Sequence, residues 1–164
     1  MTVLTAARLR EVLDYDPATG VFRWRAASHP NSRVNVGCVA GYIESNGYRR
    51  IAIDRRRYLA GRLVWLNVAG EWPVGQIDHK NGIRDDNRFD NLRDVTCSKN
   101  SQNLRQAHSD SKTGLLGVHQ HRGKFRADIQ VDGKKRHLGY FATAEAAHAI
   151  YVEAKRRLHP TCTI

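Results

Sequence analysis

Cysteine is scarce in this 164-residue chain, and what there is stands apart: Cys38, Cys97 and Cys162, an odd number with no C-x-x-C pair. That argues against a disulfide framework or a thiolate zinc site and fits a reducing compartment. Long apolar runs are missing as well, so no segment reads as a membrane span. The opening MTVLTAARLREVL reads as a polar-faced helix rather than a signal peptide. The expectation is a cytoplasmic protein with no membrane partner. Acidic side chains are outnumbered, 16 Asp and Glu against 27 Lys and Arg, for a formal net charge of +11. Such a surplus favours a polyanionic partner, because each neutralised phosphate releases counterions, and nucleic acid is the first candidate. A merely soluble basic protein is the competing reading.

The charge is unevenly spread. Residues 1–110 hold 17 Lys/Arg and 12 Asp/Glu, net +5, whereas residues 111–164 hold 10 and 4, net +6 in half the length. Between them, QAHSDSKTG is polar and ends in glycine, a linker composition that sets a domain boundary near Ser109 to Thr113. Two domains are expected, 1–110 and 111–164.

Within the first, Thr5 is placed to cap a helix with Leu9, Val12 and Leu13 on one face, and DPATG turns the chain into the strand-like VFRWR. VAGYIESNGYRRIAID predicts a hairpin with a type I′ turn at Asn46-Gly47. YLAGRLVWLNVAG predicts a short helix ending at Gly70 and weakened by Gly61. Trp65 and Trp72 read as core anchors rather than base-stacking groups. The arginine run at 55–57 reads equally as a backbone grip or a solvated turn.

Next comes QIDHKNGIRDDNRFDNLRDVTCSKNSQN, residues 76–103, which gathers Asp78, His79, Asn91, Asn100 and Asn103 where a core would need apolar residues. GQIDH reads as a strand, KNGIRDDNRFD as a polar loop and NLRDV as the returning strand. Thr96 then caps a helix through CSKNSQNLRQ, on which Asn100 and Asn103 share a face. These residue types suit phosphodiester hydrolysis. A neutral imidazole can take a proton from water, while Asp78 and Asn100 offer the hard oxygens that Mg²⁺ prefers. Strand alternation sends the neighbours Asp78 and His79 to opposite faces, so they must approach a phosphate from different sides or from a distorted strand end.

The ordered pattern D-H-x-N-G, D-N-R, N-L-R and N-x-x-N in this stretch resembles the HNH motif of the His-Me finger endonucleases, in the phage and intron-homing branch whose third motif position is asparagine. The resemblance implies that His79 is the general base and that Asp78 and Asn100 hold one divalent metal, Mg²⁺ or alternatively Mn²⁺. It also implies that Asn91 buttresses the hairpin and helps orient the histidine. Asn103 is implied as support, and Arg88 as loop closure or a phosphate clamp; Asn81, Gly82, Asp86 and Asn87 are read as turn chemistry. One departure is Gly61, where relatives often carry histidine ahead of RLVW.

In the second domain GLLGVHQHR, GKFRADIQV and KKRHLGYF read as three strands. The middle one alternates Phe125, Ala127, Ile129 and Val131 with Lys124, Arg126, Asp128 and Gln130. Thr143 caps a helix whose Ala147, Ile150, Tyr151, Ala154 and Leu158 suit the apolar face. Residues 114–159 resemble the ethylene-response-factor type of DNA-binding domain through GV at 117, GKF at 123, LGYF at 138 and TAEAAHAIY at 143. That resemblance implies a sheet in the major groove, with His119, His121, Asp128, Gln130, Lys135 and His137 facing DNA beside Lys124 and Arg126. The family's arginine and tryptophan contacts are replaced here by His119, His121, Arg122 and His137, so no sequence preference carries over. A solvated sheet face is the alternative for these histidines.

The expected architecture is α+β: a His-Me finger (ββα-metal) domain followed by a three-stranded antiparallel sheet packed on one helix. The expected function is a metal-dependent endonuclease on double-stranded DNA, phage or mobile-element in type, nicking as a monomer inside a bacterial host cell. The rival is a non-catalytic, sequence-biased DNA-binding protein.

Overall fold

The computed structural model describes residues 3–104, 106, 107 and 110–159. Cys162, and Ser109 at the start of the expected boundary, lie outside them. The described chain is mixed α and β, with small antiparallel sheets. It divides between Val95 and Thr96 into two compact units, each with its own apolar core. None of the described helices is long and apolar enough to cross a membrane.

In the first unit Thr5 accepts a hydrogen bond from the Arg8 amide and starts α1 (Ala6–Val12), which buries Leu9 and Val12. Strands β1 (Leu13–Asp16) and β2 (Val21–Trp24) follow as a hairpin. Its turn is tied by Asp16, whose carboxylate accepts from the Ala18 amide and the Thr19 hydroxyl. A three-stranded sheet comes next, in the order β3 (Tyr42–Ile43), β4 (Arg49–Ile53), β5 (Arg56–Leu59).

One turn there departs from the reading from sequence. Asn46 does not adopt a positive φ; Gly47 alone does (86°), with its amide on Glu44 O at 2.8 Å and the Glu44 amide on Tyr48 O. This is a longer loop closed by a left-handed glycine instead of a two-residue type I′ turn. The positive-φ pair lies at Asp54-Arg55 (47° and 64°), where the arginine run begins, and links β4 to β5.

Helix α2 (Ala60–Ala69) continues through Gly61 and ends on left-handed Gly70. It buries Leu63, Val64 and Leu66 in a core with Leu9, Val12, Phe22, Ile51 and Ile53. Trp65 lies against Phe89, and Trp72 stacks on Tyr58 and donates to Leu4 O, so both tryptophans are engaged in packing. The last hairpin pairs β6 (Gln76–His79) with β7 (Leu92–Val95). Asp94 fixes its open end by accepting from the Val74 and Gly75 amides, both at 2.8 Å.

The second unit opens with α3 (Cys97–Gln102), capped by Thr96. This helix is shorter than CSKNSQNLRQ suggested: Asn103 is its C-cap, so Asn100 and Asn103 do not share a helical face as expected. The sheet then runs β8 (Val118–His121), β9 (Lys124–Val131), β10 (Lys134–Phe141), with β9 central. Its two connections, Arg122-Gly123 and Asp132-Gly133, have positive φ at both residues, as two-residue hairpins require. Helix α4 (Ala144–Leu158) covers the apolar face with Ala147, Tyr151 and Ala154. Ile150, expected on that side, is instead 37% exposed.

The N-cap of α4 is the Thr143 hydroxyl, which accepts from the Ala146 amide at 3.2 Å. Replacing Thr143 by Ala should lower stability by about 1 kcal/mol in urea unfolding, and Thr143→Ser should retain most of it. Equal midpoints for wild type and Thr143→Ala would show that the cap contributes nothing.

Candidate active site and the exposed sheet face

The β6–β7 hairpin positions the two central residues. Asp78 stands opposite Arg93 in the register, and His79 opposite Leu92 at the strand end. Both Asp78 and His79 are buried. Their surroundings differ, as strand alternation demands. Arg93 Nε and Nη2 lie 2.7 and 2.6 Å from Asp78 Oδ2. The His79 ring meets Asn87 and Tyr48: Nε2 is 3.2 Å from Asn87 Oδ1, and the two ring centroids are 5.8 Å apart.

The loop between the strands packs Phe89 on Trp65, but its residues 81–88 are tied together by amides and an ion pair. Asn91 Oδ1 accepts from the Asn81 amide (3.0 Å), and Asn91 Nδ2 donates to Asp86 O (2.7 Å) and Asn81 Oδ1 (3.1 Å). Asn81 Nδ2 in turn donates to Asp86 Oδ2 (2.7 Å). Arg88 grips the same Asp86 carboxylate through Nε and Nη2, at 2.9 and 2.7 Å. That ion pair, with further help from Asn81, holds the Asp86 carboxyl down to about 2.

A second set of contacts ties the loop to the β3–β4 hairpin. Arg49 clasps Asp85 with two bonds of 2.9 and 3.0 Å, while Arg84 donates to Asn46 O and lies 5.0 Å over the Tyr48 ring. Tyr48, Arg49, Arg84 and Asn87 are the neighbours that sequence reasoning missed. The first three come from cross-hairpin contacts 36 to 38 residues apart or from ring packing, which no local pattern announces. Asn87 reads as turn chemistry in the sequence, yet its side chain is almost wholly buried.

Of the remaining expected site residues, Asn100 lies on α3 and Asn103 at its C-cap, both in the second unit. On the three-stranded sheet, register and burial put His119, His121, Lys124, Arg126, Gln130, Lys135 and His137 on the face away from α4. Tyr140 joins them, its ring 5.4 Å from His121 and 4.6 Å from His137. Asp128 departs from the expectation that it faces DNA. Its side chain is only 2% exposed, beneath Arg126 (2.9 Å), Lys135 (3.3 Å) and His137 (3.3 Å). Burial alone would push this carboxyl up, but hydrogen bonds from Arg126, Lys135 and His137, with the charge of Lys135, hold it below its ordinary value. Asp128 thus arranges the basic groups of the face and does not present itself to a ligand.

Residues 58–102 match the sequence model of a family described as HNH endonuclease. No curated protein and no solved structure matches the chain. The matched segment runs from the end of β5 through α2 and the β6–β7 hairpin to α3, and it supports a nuclease-type function with DNA as partner. Nucleases of this kind generally work with a divalent metal. Among the described residues no three His, Cys, Asp or Glu side chains gather into a group able to hold an ion. Asp78 offers a carboxylate, and a carboxylate with amide oxygens makes a set of hard donors suited to a cation that keeps several waters.

The electrostatics of His79 make a direct prediction. Burial pushes its imidazole below the ordinary value of 6.5, against the Asn87 contact and the charges of Asp78 and Asp86, which pull it up. The neutral ring is thus favoured by folding. The stability this contributes is present above pH 6.5 and is lost as pH falls from there through the folded value. Following the His79 Cε1 proton by NMR in the metal-free protein should give a midpoint below 6.5. A midpoint above it would mean that the carboxylates outweigh burial.

Proposed function

We propose that this protein is a divalent-metal-dependent endonuclease that nicks double-stranded DNA as a monomer, in the manner of phage and mobile-element HNH enzymes. Residues 1–110 form the nuclease domain in this reading and residues 111–164 the DNA-reading domain. The observation that carries it is the buried His79 imidazole, kept neutral beside Asp78 within the segment that matches the HNH endonuclease family.

A buried ring held neutral at physiological pH is available to take a proton from the water that attacks phosphorus, which is the task of a general base. Asp78 and Asn100 are the residues that would hold the metal ion. When bound, such an ion supplies positive charge that neutralises the phosphate and the departing oxygen. Asn91 acts by bracing the loop that carries the catalytic end of β6, with Arg88 and Asn103 as supporting residues. The hairpin β6–β7 followed by α3 corresponds in order to the two strands and helix of a ββα-metal finger.

The second domain would contribute affinity and bias. His119, His121, Lys124, Arg126, Gln130, Lys135 and His137 occupy one sheet face, a width and chemistry suited to a major groove: cations for phosphate, and amide and imidazole groups for base edges. The net +6 of residues 111–164 favours duplex attachment.

Relaxation of supercoiled plasmid in Mg²⁺ or Mn²⁺ tests the reading. The wild type should convert the plasmid to open circles, EDTA should abolish this, and Asp78→Ala and Asn100→Ala should each lower the rate by about 100-fold or more while DNA retention persists. Salt-sensitive retention with no product under any metal would instead make the chain a DNA-binding protein.

A further inference from the structure

Asn87 belongs to a loop, yet it is as deeply buried as residues of the apolar core. Its side chain is buried, with Nδ2 donating to Asp85 O at 3.1 Å and Oδ1 facing His79 Nε2 at 3.2 Å. Because the amide nitrogen is committed to a carbonyl, the atom facing the ring must be the oxygen, and an amide oxygen only accepts. The proton of the neutral imidazole therefore lies on Nε2, which leaves the lone pair on Nδ1.

The backbone of Asn87 is fixed from the other side by the N-terminal hairpin, outside the segment that matches the HNH family. The Tyr15 hydroxyl donates to Asn87 O and accepts from the Phe89 amide, both at 3.1 Å, and so clamps the chain on either side of Arg88. Gly20, at the end of the β1–β2 turn, comes so close that a Cβ there would stand 2.5 Å from the Asn87 carbonyl carbon and 2.4 Å from the Arg88 nitrogen. A third approach comes from α2. A Cβ on Gly61 would lie 3.2 Å from Asn87 Oδ1, 3.2 Å from Ile77 Cγ2 and 3.7 Å from His79 Cε1. A side chain there would crowd the Asn87 amide and Ile77 and touch the imidazole, so the close approach of the helix is easiest with glycine.

We infer that Asn87, pinned by Tyr15 and Gly20 and given room by Gly61, is the positioning residue that sets the orientation and tautomer of His79, making Nδ1 the proton-accepting atom. This rests on the endonuclease reading for its consequence in rate, but not for its geometry. Asn91, by contrast, braces the loop through Asn81 and Asp86. A polar residue serving only as a turn would need neither its buried side chain nor three elements closing on it.

The test combines an activity measurement with one that needs no substrate. In ¹⁵N-labelled wild-type protein above the titration range of the ring, His79 should show a hydrogen-bonded Nε2–H resonance and an unprotonated Nδ1. In Asn87→Ala that resonance should broaden into solvent exchange, and plasmid nicking at saturating DNA should fall about 100-fold with DNA affinity unchanged. Gly61→Ala and Tyr15→Phe, both milder, should weaken the resonance and lower the saturated rate in the same direction; they carry the test if Asn87→Ala does not fold. A proton on Nδ1 in the wild type, or unaltered resonance and rate in the variants, would overturn the inference. If the wild type does not cut DNA at all, the endonuclease reading fails, while the NMR comparison still decides the role of Asn87.

Discussion

An imidazole taken out of water must have its ring nitrogens matched, because a buried donor without an acceptor costs about 1–3 kcal/mol. In this protein the Asn87 amide meets that requirement for His79 Nε2, and much of the first unit is arranged around the requirement. The amide must arrive from a loop, so the loop must be rigid. Rigidity comes from the net of Asn81, Asp86, Asn91 and Arg88 within it and from Arg49, Arg84 and Tyr48 beside it. That explains a composition which looks wrong for a core: amides and ion pairs here do the work that apolar side chains do elsewhere, and they do so around a polar ring that apolar packing would leave unmatched.

The same logic operates in the second unit on a different group. Asp128 is the one acidic side chain on the outer face of a basic sheet, and it is covered by Arg126, Lys135 and His137. Its charge draws two cations and an imidazole over a single point of β9 and β10, while α4 seals the opposite face with Ala147, Tyr151 and Ala154. The sheet thereby keeps its apolar residues on one side and an ordered, positively charged surface on the other, a division set by strand alternation together with the register shift between His137 and Gly139 that brings Tyr140 to the outer face.

Much of this was legible in the sequence where the signals are local. Thr5, Thr96 and Thr143 cap the helices they were expected to cap, and the strand-loop-strand character of residues 76–95 followed from the placement of its polar and branched residues. Long-range and conformational detail was not legible. The Asn46-Gly47 pair suggested a tight turn, but the chain spent its left-handed residue at Gly47 only and placed a tight turn at Asp54-Arg55, against the usual preference for glycine. α3 stops at Gln102 because Asn103 leaves the helical conformation, a step no periodicity marked. Tyr15 reaches residues 72 and 74 positions away, and Asn87 takes its meaning from a strand end and from the missing side chain of Gly61. Gly61 reads as a weakness of α2 in one dimension; in three it lets the helix lie close against the Asn87 amide and Ile77 beside His79.

The claim at the centre of this account is that His79 takes the proton from the attacking water. Single-turnover cleavage of pre-bound plasmid by His79→Ala, with Mg²⁺ present and DNA binding measured on the same sample, tests it most directly. The account predicts wild-type binding with a cleavage rate reduced by at least about 100-fold, in line with the loss of a general base. Cleavage by His79→Ala at the wild-type rate would contradict it.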